Sequence, residues 1–506
     1  MQGNIPERVV IAGGGTAGWM TAMLMQQAWQ ARGTEIVLIE SSRLGTVGVG
    51  EGSTPFLRDF FKKLNIAEQE WMPACNATYK CGISFPGWCK EPEKTYFHPF
   101  YSALDTENAL KFFDNCNHRR SGHGVPSHPD LYFVTAELAR QQKAPVPQRP
   151  LPFEHDYGYH FDAELLGQFL SRRACVGGVR RIDTTIEQVV VNDLGNIDAL
   201  QLESGETLRA DVFVDCTGFK SLLMKQALGQ RFIDYSDALF NDSAVAMPTA
   251  LPQTNTLASE TISKALSHGW VWHIPLTNRI GNGYVYSSKY LSADQAESQL
   301  REQLGADKNT KAIHLRWQPG RLQQNWQGNC FAAGLAQGFL EPLEAAMLHT
   351  IQHTAESFIK HYESGGSGDR DEHNRKVNVL IDGTRDYIQL HYLLNSREDS
   401  DYWRDLRVNS AVSKDLQALL QAWDNNRPFE ETMAQSSNRQ VYKRTSWYCM
   451  LAGMERFPDA VKTPKGSLSQ YIERLQQHCR QRADVFHDHY DFIKQQANEL
   501  SQQERG

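Results

Sequence analysis

Three glycines set the first chemistry that this sequence can do. Gly13, Gly15 and Gly18, in Gly13-Gly-Gly-Thr16-Ala17-Gly18, follow the β-branched run Arg8 to Ala12 and open a helical stretch that stops at Gly33. That order predicts a strand, a tight turn and a helix whose first N–H groups face an anion. Gly13 permits the turn, Gly15 lets bare backbone approach a pyrophosphate, and Gly18 lets the helix pack close to the strand. A second apolar strand, Glu35 to Glu40, ends on a carboxylate 22 residues beyond Gly18, where it can accept hydrogen bonds from an adenosine ribose. The pattern predicts a bound dinucleotide held by Gly13, Gly15, Thr16, Ala17, Gly18 and Glu40.

Other residue types with metal or nucleophile chemistry do not converge. His118, His123 and His128 sit in a Gly/Pro/Ser-rich loop, and His487 and His489 are two apart on an expected helix, so neither set presents a ligand cage and no metal is expected. The nine cysteines are dispersed with no CxxC, which reads as reduced structural thiols of a cytoplasmic protein.

The elements that must position the glycine turn come from 506 residues, 41% hydrophobic and 22% charged, with a formal net charge of -7. Lys and Arg are scattered, so no nucleic-acid surface is expected. Nothing approaches 20 consecutive apolar residues and no leader precedes the strand at Val9, so neither membrane span nor secretion is expected. Thr185 to Asp193, Ile197 to Glu203 and Thr207 to Asp215 read as three strands joined by Asp-Leu-Gly-Asn and Ser-Gly-Glu turns. A β-meander that returns to the nucleotide sheet at Asp215 suits FAD better than NAD. The fold class is therefore α/β, a Rossmann-like FAD-binding domain of the flavin monooxygenase type. Gly365-Gly-Ser-Gly-Asp-Arg-Asp-Glu372 is loop-like, and the chain beyond it is Gln-, Arg- and Leu-rich. This divides the chain into 1–365, an FAD-binding domain, and 366–506, a mainly helical lobe, with one long helix from about 469 to 500.

Four segments, in order, resemble the flavin-dependent halogenases often described as tryptophan halogenases. They are the Gly13 to Gly18 turn, Gly48-Val49-Gly50-Glu51-Gly-Ser-Thr-Pro55 (the flavin strap), Trp270-Val-Trp272-His-Ile274-Pro275 (WxWxIP) and Gly338-Phe-Leu-Glu-Pro-Leu-Glu344 (GFxEPLE). The resemblance covers roughly residues 8 to 360. It implies that reduced FAD, delivered by a separate NAD(P)H flavin reductase, is used with O2 to convert a halide into hypohalous acid. The oxidant then passes through a tunnel to a small aromatic substrate that never touches the flavin. The resemblance places the essential lysine at Lys80 and its partner carboxylate at Glu344. An ammonium can hold hypohalous acid by a hydrogen bond or as a haloamine, and a carboxylate can stabilise the cationic ring or take its proton. It also implies cofactor contacts at Val49, Gly50, Glu51, Asp215 and Gly334. A halide would lie at Ala346 and Met347, and substrate or tunnel contacts at His98, Phe100, Trp270, Trp272, Ile274, Pro275 and Trp447. A monomer or homodimer is expected.

Two departures stand out. The best-known tryptophan halogenases have Ser-Thr-Gly or Ser-Thr-Ser where this chain has Ala345-Ala346-Met347, a change that could favour bromide or iodide over chloride. Val441 to Met454 contains Trp447 and Tyr448 but not the Tyr-Tyr and Glu set that grips the amino-acid end of tryptophan. Free indole, another electron-rich arene, or an indole within a larger molecule is as good a candidate. The alternatives are an aromatic hydroxylase on the same scaffold, against which WxWxIP argues, and a non-catalytic flavoprotein, against which the presence of both Lys80 and Glu344 argues. An NAD-dependent dehydrogenase is weaker, since no second dinucleotide fingerprint occurs.

Overall fold

The computed structural model of the chain describes residues 4–43, 50–91, 93–437, 441–459 and 467–503. Val9, Val10, Ile11 and Ala12 are all fully buried, as a strand covered on both faces requires. The strand Arg8–Ala12 lies in a six-stranded sheet, between Glu35–Glu40 and Val212–Asp215, with Cys330–Ala332 and Trp326–Gln327 beyond the latter and Arg180–Asp183 beyond the former. The sheet is parallel except for the short Trp326–Gln327 strand at its edge. The helix Thr16–Trp29 covers one face, and the helices Ala163–Val176 and Met347–Ser364 pack against it.

The meander forms as Ile186–Val191, Ile197–Leu202 and Thr207–Leu208. The expected single strand from Thr207 to Asp215 is two strands. Between them the Asp211 carboxylate accepts the N–H groups of Glu7 (2.7 Å) and Arg8 (2.9 Å). This turns the chain out of the meander, and Val212–Asp215 then enters the main sheet beside Arg8–Ala12.

A seven-stranded sheet runs Ile313–Arg316, Ser243–Thr249, Ile280–Tyr286, Gly269–Pro275, Glu260–Leu266, Gly82–Ser84 and Phe97–Pro99. A small antiparallel sheet joins Gly50–Gly52, Gly158–Asp162 and Thr78–Lys80, pairing Lys80 with Gly158 and Thr78 with His160. The helices beyond Asp369 do not stand apart. Trp88, Tyr96, Trp270, Tyr387, Trp403 and Trp447 belong to one buried cluster that spans the seven-stranded sheet and those helices.

The expected helix from 469 to 500 is instead a helix, Ser467–Ala483, a short strand, Phe486–Asp488, and a second helix, His489–Gln503. Phe486 is fully buried and pairs with Pro147 of the strand Lys143–Pro147. His489, fully buried and lowered to about 4 by burial, accepts the Tyr79 N–H at Nε2 (3.1 Å) and donates from Nδ1 to the Leu257 carbonyl (3.1 Å). A neutral imidazole thus ties the last helix to the strand that carries Lys80. Among the described residues no three metal-binding side chains cluster, and no helix is long and apolar enough to cross a membrane.

Candidate active site

One cavity of about 1200 Å³ is lined both by the glycine turn and by Lys80. At the turn, Gly13 has φ +111°, and a Cβ there would lie 2.1 Å from the Cys216 carbonyl oxygen. A Cβ on Gly18 would lie 1.9 Å from the Gly13 carbonyl oxygen. Gly14, which the spacing argument passes over, is equally constrained, because its Cβ would meet Glu40 Oε2 at 1.7 Å. Gly15 differs from all three. It caps the helix with φ -71° and ψ 179°, a conformation open to any residue, and a Cβ there would meet no protein atom within 4 Å. At this helix start a glycine leaves bare backbone on the cavity wall, so the donor set fits a dinucleotide drawn close to it.

Thr16, Ala17 and Glu40 also line the cavity, as does Gly334, at φ +66°, whose Cβ would come 2.5 Å from that of Ala17. Glu40 is paired with Arg181 and accepts the Trp19 indole N–H at 3.3 Å. Gly50 and Glu51 line it too, and burial, reinforced by the charge of Asp162, pushes the Glu51 carboxyl up to about 7. Val49 lies outside the described residues. Asp215 differs from expectation: it is fully buried and is not part of the cavity wall. Its oxygens accept from the N–H groups of Thr217, Leu223 and Met224 and from the hydroxyls of Thr217 and Ser221. It shapes the loop beside the cavity.

Trp270, Trp272 and Ile274 alternate along Gly269–Pro275 and all three face the cavity. Pro275 does not, but its carbonyl receives the Thr78 hydroxyl at 2.7 Å. The turn Pro342–Glu344 leads into Ala345, at φ +51°, and then into the helix Met347–Ser364. Ala346 and Met347 line the cavity at that helix start. Among the described residues no acceptor takes the N–H of Ala346, Met347 or Leu348, so these helix-start donors are left free at the cavity wall, as an anion site requires.

Lys80 is 1% exposed. Burial lowers its ammonium to about 7, and the charge of Glu344 opposes that shift. Nζ stands 5.3 Å from the centroid of the Phe100 ring, close enough for a cation–π attraction. Glu344 is buried, with Oε1 3.1 Å from His391 Nε2 but off hydrogen-bond alignment. His98 is also buried, which holds its pKa down to about 4, and its Nδ1 has no partner. Its ring meets Tyr387 edge-on at 6.2 Å, Trp447 meets Tyr387 edge-on at 5.3 Å, and Tyr442 stacks on Tyr387 at 3.7 Å. Lys80 thus senses the charge of Glu344 beside an aromatic cluster, with Glu344 Oε1 and His98 Nδ1 both lacking a hydrogen-bond partner.

Sequence reasoning missed Tyr387, His391 and Tyr442 because none lies in a motif. The one available signal is that Tyr387 and His391 are four apart on one helix face, where the His391 Nδ1 donates to the Tyr387 carbonyl at 3.2 Å. It also passed over the first glutamate of GFxEPLE. Glu341 is buried and raised to about 7 by that burial, and it accepts from Tyr392 Oη (2.5 Å) and Asn241 Nδ2 (2.9 Å).

The tryptophan halogenase family model matches residues 8–469. A tryptophan 6-halogenase of Streptomyces toxytricini is 37% identical over 453 residues, 85% of this chain and 86% of that one. A tryptophan 7-halogenase of Lentzea aerocolonigenes is 32% identical over 94% of each chain. The structure of a flavin-dependent halogenase from Xanthomonas campestris superposes with a TM-score of 0.85, at 33% identity and 98% coverage of both chains. Together with a glycine cradle and a buried lysine on one cavity, these likenesses show that the chain belongs to the flavin-dependent tryptophan halogenase family.

Proposed function

We propose that the chain halogenates an indole or another electron-rich arene with hypohalous acid that reaches Lys80 through the cavity lined by Trp270, Trp272 and Ile274. The observation that supports this reading is the single cavity lined both by Gly15 and by Lys80. Members of the family are two-component enzymes that use reduced FAD from a separate flavin reductase. Bound reduced FAD supplies, with O2, the oxidising power that turns halide into hypohalous acid.

The chain's own residues do the rest. The free N–H groups of Ala346 and Met347 hold the halide, and the indole walls of Trp270 and Trp272 keep an organic substrate from the cofactor cleft. The Lys80 ammonium binds the oxygen of the oxidant and polarises its bond to the halogen. The ring carbon bonds the halogen, the oxygen–halogen bond breaks with its electrons left on oxygen, and the ring proton passes to Glu344. The hydroxide takes the proton that the Lys80 ammonium donates to it and leaves as water. Residues 366–506 cover the substrate, with Trp447, His98 and Phe100 as ring contacts. The decisive test supplies flavin reductase, FAD, NADH and bromide with indole and reads the product mass; a hydroxylated product in place of a brominated one would overturn the reading.

Gly15→Ala should leave the melting temperature within about 1 °C of the parent, because the added methyl meets no protein atom. It should weaken FAD binding at least about tenfold, because it fills the space where pyrophosphate meets backbone. Thermal melts and flavin fluorescence titration check both halves. With Ala345, Ala346 and Met347 in place of hydroxyl-bearing residues, bromide should outcompete chloride. Equimolar halides should give mainly brominated product, and a predominantly chlorinated one would refute the preference.

A further inference from the structure

Beside Lys80 four groups form a chain in which every hydrogen can be placed. Thr78 Oγ1 lies 2.7 Å from the Pro275 carbonyl oxygen, and of these two oxygens only the hydroxyl carries a hydrogen, so Thr78 donates. Its one hydrogen committed, Thr78 can only accept from His160 Nδ1, 3.1 Å away. The imidazole is fully buried, and burial followed by the nearby Lys80 charge holds its pKa well below the usual value, so it stays neutral. A neutral ring protonated on Nδ1 offers a lone pair at Nε2. Thr261 Oγ1, 2.9 Å from Nε2, must therefore donate to it.

Thr261 is left with lone pairs alone for the cavity that it lines together with Lys80. The two meet over Gly52, where a Cβ would lie 3.1 Å from Lys80 Nζ, 3.4 Å from Thr261 Oγ1 and 3.7 Å from His160 Cδ2. Among the described residues no direct hydrogen bond joins Thr261 to Lys80. One partner of the shared space is thus a donor and the other an acceptor only.

We propose that Thr261, its hydrogen held by His160, accepts the O–H of hypohalous acid while Lys80 donates to the same oxygen, so that the halogen end alone is left free to face the arene. A hypohalous acid is the small molecule these two groups complement, since its oxygen both donates and accepts. The Thr78–His160–Thr261 chain sets the polarity, and Gly52 keeps the space open. This inference rests on the function proposed above.

The test compares the parent, Thr261→Val, Thr261→Ala, Thr261→Ser and Lys80→Ala, each with flavin reductase, FAD, bromide and indole. Three quantities are read: reduced-flavin oxidation, brominated indole, and hypobromous acid caught by a diffusible 1,3-diketone. Thr261→Val and Thr261→Ala should oxidise flavin as the parent does, make about tenfold less bromoindole, the scale of one hydrogen bond to a charged cluster, and lose correspondingly more oxidant to the trap. Thr261→Ser should restore the product to within about twofold. A role in packing alone would not move oxidant from product to trap. If both apolar variants match the parent while Lys80→Ala loses about 10² to 10³ of the product, this inference fails and the proposed function stands. If product falls with no gain in trapped oxidant, the inference also fails. If Lys80→Ala itself matches the parent, the proposed function fails with it.

Discussion

Lys80→Ala is expected to cut halogenation by about 10² to 10³, while the oxidation of reduced flavin and the appearance of trappable oxidant continue. Losing one preorganised electrostatic group from a water-poor site is worth about 3 to 4 kcal/mol, and Lys80, at 1% exposure, is such a group. Product yield per flavin oxidised measures the effect, and unchanged yield would remove Lys80 from the reaction. The same burial makes a stability prediction. The Lys80 ammonium is lowered from 10.5 to about 7, so below about pH 7 folded and unfolded chains both carry the charge and the burial penalty is full. Between about 7 and 10.5 the folded chain has released the proton and the unfolded chain has not. Unfolding then takes up a proton, and stability rises with pH across that window. Relative to Lys80→Ala, the parent should therefore gain in melting temperature from pH 6 to pH 10. A difference that stays flat would mean that Lys80 is not buried as an ammonium.

Glu344→Gln is expected to lower the rate by a comparable factor, about 10² or more, since the amide keeps the shape but neither takes the ring proton nor balances a cationic ring. It should also act on Lys80. Burial lowers the Lys80 ammonium and the Glu344 charge opposes that lowering, so removing the charge should move the loss of ammonium to lower pH. The alkaline limb of the halogenation profile should shift toward acid in Glu344→Gln. A profile that falls in height without shifting would show that the two groups do not sense each other.

Much of the nucleotide half is legible in the sequence because its constraints are local. A strand, a turn and a helix only a few residues apart fix where Gly13, Gly15 and Gly18 stand, and the cavity takes in Gly13, Gly15 and Glu40 from that stretch. The WxWxIP run is legible for a similar reason: strand alternation alone puts Trp270, Trp272 and Ile274 on one face. Asp215 misleads because a carboxylate at a strand end reads the same whether it faces a ligand or a loop. Only the loop donors from Thr217 to Met224 decide that it faces the loop. The C-terminal helix misleads because its polar, Gln-rich pattern hides buried residues, among them Phe486, whose pairing partner lies at Pro147.

The sequence by itself pointed to the family and to the glycine turn, because each motif is a short run of residues, and through the family resemblance it singled out Lys80 and Glu344 as the candidate lysine and carboxylate. Only the tertiary structure decided what surrounds them. Strands from residues 50–52, 78–80 and 158–162 meet to bury Lys80, and a strand from residues 260–266 brings Thr261 to His160. A helix from residues 369–394 sets Tyr387 and His391 beside His98 and Glu344. Burial and hydrogen-bond polarity are sums over neighbours hundreds of residues apart, and no local pattern encodes such sums. That is why Lys80 could be singled out by resemblance, whereas its lowered pKa and the Thr261 hydroxyl that it meets over Gly52 could not.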